Sequence, residues 1–276
     1  MTIPSRTLND GHSIPAIGFG SYRLRGEEGT TAVAQALDAG YRLIDTASAY
    51  ENEQEVGEGI RASGLPREQL FITTKLAGRH HGYDKTLEGF DQSRTALGLD
   101  FIDLYLIHWP LPRLDLFVES WHALVNLRDE GLVRSIGVSN FTEAHLTRLM
   151  DETGIVPAVN QVEMHPRFGQ QALRAFHAAH GILTQAWSPL SAGHGVLDDP
   201  VIGRISHAHD VSPAQAVLRW HIQLGSVPIP KSGSGSRLRQ NLDVFGFELT
   251  AAELDEISGL EAGRLWGGDP DTHEEF

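Results

Sequence analysis

The stretch IDLYLIHWP, residues 102–110, carries five apolar or aromatic side chains among its first six, then closes on His108, Trp109 and Pro110. A strand with one wet face would alternate apolar with polar residues. This one does not, so both of its faces are covered, as in a parallel sheet packed under helices. Seven further short runs of β-forming character recur, over residues 16–20, 42–46, 70–76, 133–139, 158–164, 182–187 and 227–231.

Helix-like segments fill the intervals. Residues 30–39 stop at Gly40 and residues 115–130 at Gly131. A third segment, opened by Thr142 with Glu143 beside it, stops at Gly154. The interval between Trp187 and Val227 holds two helical patterns. The second covers residues 213–224, after Ser212 and with Pro213 in its first turn. Eight strand–helix units in 276 residues argue for an α/β fold of the closed (β/α)8 TIM-barrel type, a single domain over residues 1–276. Two pieces fall outside the repeat. RTLNDGHSIP, residues 6–15, sets Asp10-Gly11 between extended residues and reads as an N-terminal β-hairpin cap. Residues 259–276, rich in Gly, Pro and Asp, read as an irregular C-terminal tail. The rival is a doubly wound dinucleotide-binding sheet, which needs G-x-G-x-x-G after its first strand. Here GFGSYR has Gly18 and Gly20, but Arg23 stands at the third glycine.

The formal net charge of −14 disfavours nucleic acid and anionic membrane as partners. With no cysteine, disulfides, thiolate catalysis and cysteine-ligated metals are excluded. The opening MTIPSRTLNDG has no apolar signal segment, and no stretch is long enough to span a bilayer. A soluble, cytoplasmic protein is expected, monomeric in the absence of heptads or a sticky surface.

In a (β/α)8 barrel the reactive groups sit where strands end. Asp45 ends the second run, with Tyr50 just beyond it; Lys75 ends the third and His108 the fourth. Singly, each has a plainer account: a helix cap, a packed loop tyrosine, a surface lysine, a core histidine. Their convergence at one barrel mouth favours chemistry. A phenol near pKa 10 holds its proton at neutral pH, and lowering that by two units takes about 2.7 kcal/mol. An ammonium about 4 Å away supplies up to about 4 kcal/mol at an effective dielectric near 20. Lys75 is therefore expected to lower the Tyr50 pKa, with Asp45 holding Lys75 and His108 bonding a substrate oxygen. Such a site protonates an oxygen on which negative charge builds, as in a carbonyl receiving hydride.

SVPIPKSGSGSRLRQN, residues 226–241, carries Lys231, Arg237 and Arg239 and no acid. A Ser/Gly loop entering a helix N-terminus suits a phosphate, and a flexible loop beside a surface helix is the equal alternative. Trp187 ends the seventh run and either stacks on a flat ring or packs in the core. Ser139, Asn140 and Gln161 end the fifth and sixth runs and either hold a carboxamide or serve turns and caps. No metal site is expected. His80/His81, His177/His180 and His207/His209 lack acid partners at zinc spacing, and H-E-x-x-H is absent, as is the G-x-S-x-G elbow of serine hydrolases.

Together LNDGHSIPAIGFG, GYRLIDTASAYENE, LFITTKL, DLYLIHWP, RSIGVSNF, AVNQVEMHP, QAWSPL and IPKS…R…QNL resemble the aldo-keto reductase family over nearly the whole chain. AVNQ-E-HP, QAWSPL and PAQAVLRWH are most similar to its bacterial 2,5-diketo-D-gluconate reductase-like group. The resemblance implies NADPH as cofactor, a small-molecule carbonyl as substrate and a catalytic set of Asp45, Tyr50, Lys75 and His108, with Tyr50 the general acid. It implies that Ser139, Asn140 and Gln161 hold the carboxamide, Trp187 stacks on the ring, and Ser188 and Leu190 line the pyrophosphate path. Lys231, Ser232, Arg237, Gln240 and Asn241 would take the adenosine end. Lys231, Ser232 and Arg237 suit a 2′-phosphate. Two departures stand out. Gly233, Ser234, Gly235 and Ser236 replace more basic residues, which weakens a preference for NADPH over NADH. Ala77 replaces an aromatic, which is expected to remove one wall of the substrate pocket. Phe19, Tyr22, Trp109 and the tail around Trp266 are the other expected pocket residues. A family member that binds NADPH as a sensor or structural part with little turnover is the alternative. A barrel enzyme using the Lys231–Arg237 loop for a phosphorylated substrate is the third possibility.

Overall fold

Successive side chains on a strand point to opposite faces, and this alternation sorts the apolar runs into an inner and an outer set. The computed structural model describes residues 3–275. Its hairpin is β1 (Ser5–Thr7) and β2 (Ser13–Pro15). The barrel strands are β3 (Phe19–Gly20), β4 (Leu43–Asp45), β5 (Phe71–Leu76), β6 (Ile102–Ile107), β7 (Val133–Ser139), β8 (Val159–Glu163), β9 (Leu183–Trp187) and β10 (Val227–Ile229). These eight form one sheet in chain order, each pair parallel. The backbone N–H groups of Gly18 and Gly20 donate to the carbonyls of Pro228 and Pro230 at 3.0 and 3.1 Å, which brings the last strand against the first. The expected (β/α)8 barrel is therefore present. Each run is trimmed by at most a few residues, because the ladder ends before the apolar character does.

The helices are α1 (Gly26–Ala39), α2 (Glu53–Ala62), α3 (Tyr83–Leu97), α4 (Phe117–Asp129), α5 (Glu143–Thr153), α6 (Gln171–His180), α7 (Pro200–Ala208), α8 (Pro213–Gln223), α9 (Gly235–Leu242) and α10 (Ala251–Ser258). Helix α1 begins earlier than residue 30. Its first N–H, on Gly26, is met by Glu55 from α2 rather than by a local cap, so no capping side chain beside residue 26 announces the start. Thr142 and Ser212 do cap α5 and α8. Helix α10 is opened by a Thr250–Glu253 capping box.

Outward residues Ile44, Ile72, Tyr105, Ile107 and Val138 pack under the helices against Val33, Leu37, Phe90, Trp121 and Leu124. Inward residues Leu43, Phe71, Leu104, Leu106, Val159, Val227 and Ile229 form a separate core with Leu8 and Ile14 of the hairpin. The hairpin thus stoppers the barrel floor. Burying Leu8 and Ile14 contributes about 1.5–3 kcal/mol each. Gly18 belongs to this layer. A Cβ there would come within 2.6 Å of both Leu43 and Ile229, so the floor closes only around glycine. One and two steps further up the same inward rows stand Asp45, Lys75, Gln161, Gln185 and Trp187.

The tail from residue 259 has no regular element, as expected, but it is tied down. Ala262 and Gly263 N–H donate to Arg167 O at 2.8 and 2.7 Å, and Leu265 N–H donates to buried Glu163 at 2.7 Å. Of the expected tail, Phe276 lies outside the described residues. Among the described residues no helix is long and apolar enough to cross a membrane.

Candidate active site

Lys75 is fully buried at the upper end of β5. Its Nζ donates to Asp45 Oδ1 at 2.6 Å and to the Thr46 carbonyl at 2.8 Å, and lies 3.4 Å from the Tyr50 hydroxyl. Tyr50 sits on a short 3-10 turn, Ser48–Tyr50, directly after β4. The His108 ring follows β6 and stands edge-on to Tyr50, with centroids 5.7 Å apart. The four side chains that end or follow neighbouring strands therefore meet.

Their electrostatics differ from the sequence expectation in one respect. Burial pushes the Tyr50 phenol up to about 12, and the Lys75 charge only partly offsets this, with Asp45 and Glu275 adding to the rise. The ammonium alone would lower the phenol, but desolvation is the larger effect here. Burial works to lower the Lys75 ammonium, but Asp45 and Tyr50 overcome it and hold the group above its ordinary value. Tyr50 thus keeps its proton and Lys75 its charge.

The polar residues ending β7, β8 and β9 form one connected set. Gln161 Nε2 donates to Asp45 Oδ2 and to Gln185 Oε1, both at 2.7 Å. Ser139 Oγ donates to the Gln161 carbonyl at 2.8 Å. Asn140, held at φ 62°, donates from Nδ2 to the His108 carbonyl at 3.0 Å and to Ser139 Oγ at 3.1 Å. The half-buried Trp187 donates from Nε1 to Asn140 Oδ1 at 2.8 Å. Ser139, Asn140, Gln161 and Trp187 are therefore adjacent to the tetrad and to one another. Ser188 is in the left-handed region, at φ 50°, and Leu190 packs into the helical core.

Beyond the end of β10, Lys231 and Arg237 are exposed and make no ion pair among the described residues. Ser232 is buried and accepts from the Ser234 N–H at 3.1 Å. Gln240 is exposed, while Asn241 is buried beside the Tyr41 hydroxyl. Two unpaired cations, one in the loop before α9 and one on its first turn, have the donor chemistry of an anion site in this acidic chain. Among the described residues no group of three or more metal-ligating side chains is gathered.

The pocket expectations fare unevenly. Tyr22 is half exposed, and its ring lies 4.9 Å from that of Tyr50. Trp109 adjoins His108 and stacks on His273 at 3.9 Å. Trp266 is exposed and meets His194 edge-on at 5.0 Å. Phe19 does not line the mouth. It points outward, wholly buried against Tyr41, because the alternation of β3 turns it toward the helices. Ala77 leaves no open wall either, being 1% exposed. The tail fills this region: a Cβ on neighbouring Gly78 would lie 2.0 Å from the Glu275 carbonyl oxygen. Ala77→Trp is accordingly expected to displace the tail and to narrow what the mouth accepts. An unchanged substrate profile would remove Ala77 from the pocket.

Glu275 is the residue that sequence reasoning missed. One carboxylate oxygen lies 2.6 Å from His108 Nδ1, and the other accepts the Gly78 N–H at 3.0 Å. Burial would raise its carboxyl, but His108 and the Gly78 N–H overcome this and hold it below the usual range. His81 lies buried nearby, with burial pulling it down to about 4. No motif marks Glu275, because it reaches the site from 167 positions away along a tail without regular structure.

The family model described as "Aldo/keto reductase family" matches residues 16–262. The chain is 54% identical over 274 residues to 2,5-diketo-D-gluconic acid reductase B of Corynebacterium sp., covering 99% of each. It is 47% identical over 265 residues to methylglyoxal reductase DkgA of Escherichia coli K12, covering 96% of each. Among solved structures, a mutant of Gox0644 in complex with NADPH superposes with a TM-score of 0.94 at 45% identity, covering 99% of this chain and 100% of that one.

Proposed function

This chain belongs to the aldo/keto reductase family, and on that premise we propose that it reduces aldehydes and ketones to alcohols with NADPH. The observation that carries the proposal is the buried Lys75 Nζ, held 2.6 Å from Asp45 and 3.4 Å from the Tyr50 hydroxyl.

NADPH, when bound, supplies the hydride that reaches the carbonyl carbon. Tyr50 gives its proton to the carbonyl oxygen. Burial keeps the phenol protonated until that oxygen becomes more basic than a phenolate, and Lys75 then stabilises the phenolate that Tyr50 leaves behind. Asp45 and the Thr46 carbonyl aim Lys75. His108 orients the carbonyl from the opposite side. Ser139, Asn140 and Gln161 take the carboxamide, Trp187 offers its face to the ring, and Ser188 and Leu190 flank the pyrophosphate path. Lys231, Ser232, Arg237, Gln240 and Asn241 take the adenosine end. Asn140 already uses its amide within the protein, so new bonds to a carboxamide there require some of these contacts to be exchanged.

The test is aldehyde-dependent NADPH oxidation with a reactive aromatic aldehyde. Absence of oxidation by the wild type, with NADPH still quenching tryptophan fluorescence, would replace the reductase by a protein that binds the cofactor without turning it over. The exposed, unpaired Arg237 carries a second expectation. Arg237→Ala weakens NADPH roughly tenfold, the worth of one charge-assisted bond, and leaves NADH nearly unchanged in the same fluorescence titration. Equal losses for both cofactors would take Arg237 away from the 2′-phosphate.

A further inference from the structure

Residues 268–275 have no helix or strand to fix their path, and two places where only glycine fits help to set it. A Cβ on Gly268 would come within 2.7 Å of the Trp109 ring, and one on Gly78 within 2.0 Å of the Glu275 carbonyl oxygen. The tail therefore lies close on Trp109, where His273 stacks, and reaches the turn that follows β5. Arg264 donates to the Gly268 carbonyl at 2.8 Å at one end of this path, and Arg113 meets Glu274 at 2.6 Å near the other. This course delivers the Glu275 carboxylate to the tetrad.

That carboxylate is only 15% exposed, and it touches groups that attract an anion. The Gly78 N–H donates to one oxygen at 3.0 Å, and His108 Nδ1 lies 2.6 Å from the other. The second contact is one of charge, since Nδ1 is not aligned on the oxygen as a hydrogen bond. Of the cations around the mouth, Lys75 is paired with Asp45 and Arg113 with Glu274. Arg79 has no acid among the described residues, but it is exposed and bonded to the Ser48 hydroxyl, where water screens its charge. A second anion arriving beside His108 would meet the Glu275 charge in a largely dry corner, where like charges repel far more strongly than in water.

We propose that Glu275 sets the charge of the substrate: its carboxylate fills the anion-accepting corner between Gly78 and His108, and so turns the site toward uncharged carbonyl compounds and away from those that carry an acid group. The proposal rests on the reductase reading above and deepens it. Discrimination of this kind comes from a repulsive element against the wrong ligand rather than from a new contact to the right one.

The experiment measures kcat/KM of the full chain, with NADPH, for 4-carboxybenzaldehyde and for its neutral methyl ester, in the wild type and in E275Q. Glutamine keeps the size of the side chain and an oxygen for the Gly78 N–H, and removes only the charge. The intrinsic reactivities of the two aldehydes cancel when their ratio is compared between variants. The ester-to-acid ratio is expected to fall about tenfold in E275Q, the effect of one unscreened like charge at short range. A role in packing or in holding the tail would move both aldehydes alike, so E275Q with the wild-type ratio overturns the proposal, whether its rates rise, fall or stay. A ratio that rises in E275Q overturns it as well, since the carboxylate would then be favouring the acid. Failure of the wild type to oxidise NADPH with either aldehyde removes the reductase reading itself and this inference with it.

Discussion

Tyr50→Phe is expected to remove carbonyl reduction while leaving the fold and the NADPH affinity almost as they were. Loss of a positioned general acid typically costs 10²–10⁴-fold, and no other hydroxyl stands beside Lys75 Nζ among its described partners. The fold has little to lose. Among the described residues the Tyr50 hydroxyl bonds only to Lys75, at a long 3.4 Å, and phenylalanine fills nearly the same volume. Lys75 keeps Asp45 and the Thr46 carbonyl, so its charge stays paired. The stability change should fall within about 1 kcal/mol, since a long bond and a desolvated hydroxyl disappear together. Steady-state turnover, a fluorescence titration and a melting curve decide it. Turnover within threefold of wild type would mean that some other group delivers the proton.

The architecture was legible because it is written in long, repeated patterns. Largely apolar runs such as residues 102–107 suit a strand covered on both faces, and eight such runs with capped helices between leave few arrangements. Asp45, Lys75 and His108 were legible for the same reason: each ends such a run. What escaped notice depends on distance along the chain or on desolvation. Helix α1 takes its first bond from Glu55 on another helix. Phe19 looked like a mouth residue until the alternation of a two-residue strand turned it outward. The Tyr50 pKa, lowered in a two-charge sum, is raised in the folded protein because burial outweighs Lys75. Ala77 promised space that the tail occupies. Glu275 is one acid among 36 in the sequence, and only the folded path of residues 268–275 brings it to His108.

Lys75→Met should damage both function and stability, and the two losses can be separated. Lys75 is wholly buried and is the cationic partner of a nearly buried carboxylate. Removing one member of such a pair leaves the other charge uncompensated, at a cost of about 3–5 kcal/mol. The Gln161 amide alone would remain to face Asp45. Turnover should fall on the order of 10²–10³-fold or more, because the phenolate left on Tyr50 loses its stabilising cation, and the phenol, already near 12, moves further up. Asp45→Asn combined with Lys75→Met tests the separation. The double variant has no buried charge at this point, and the amide oxygen introduced at position 45 can still accept from Gln161. It should therefore recover much of the stability in urea unfolding while turnover stays at the level of Lys75→Met. If stability and turnover recovered together, the lysine would be a structural partner of Asp45 only. If neither recovered, the loss in Lys75→Met would lie in the packing of the inner layer rather than in the unpaired carboxylate.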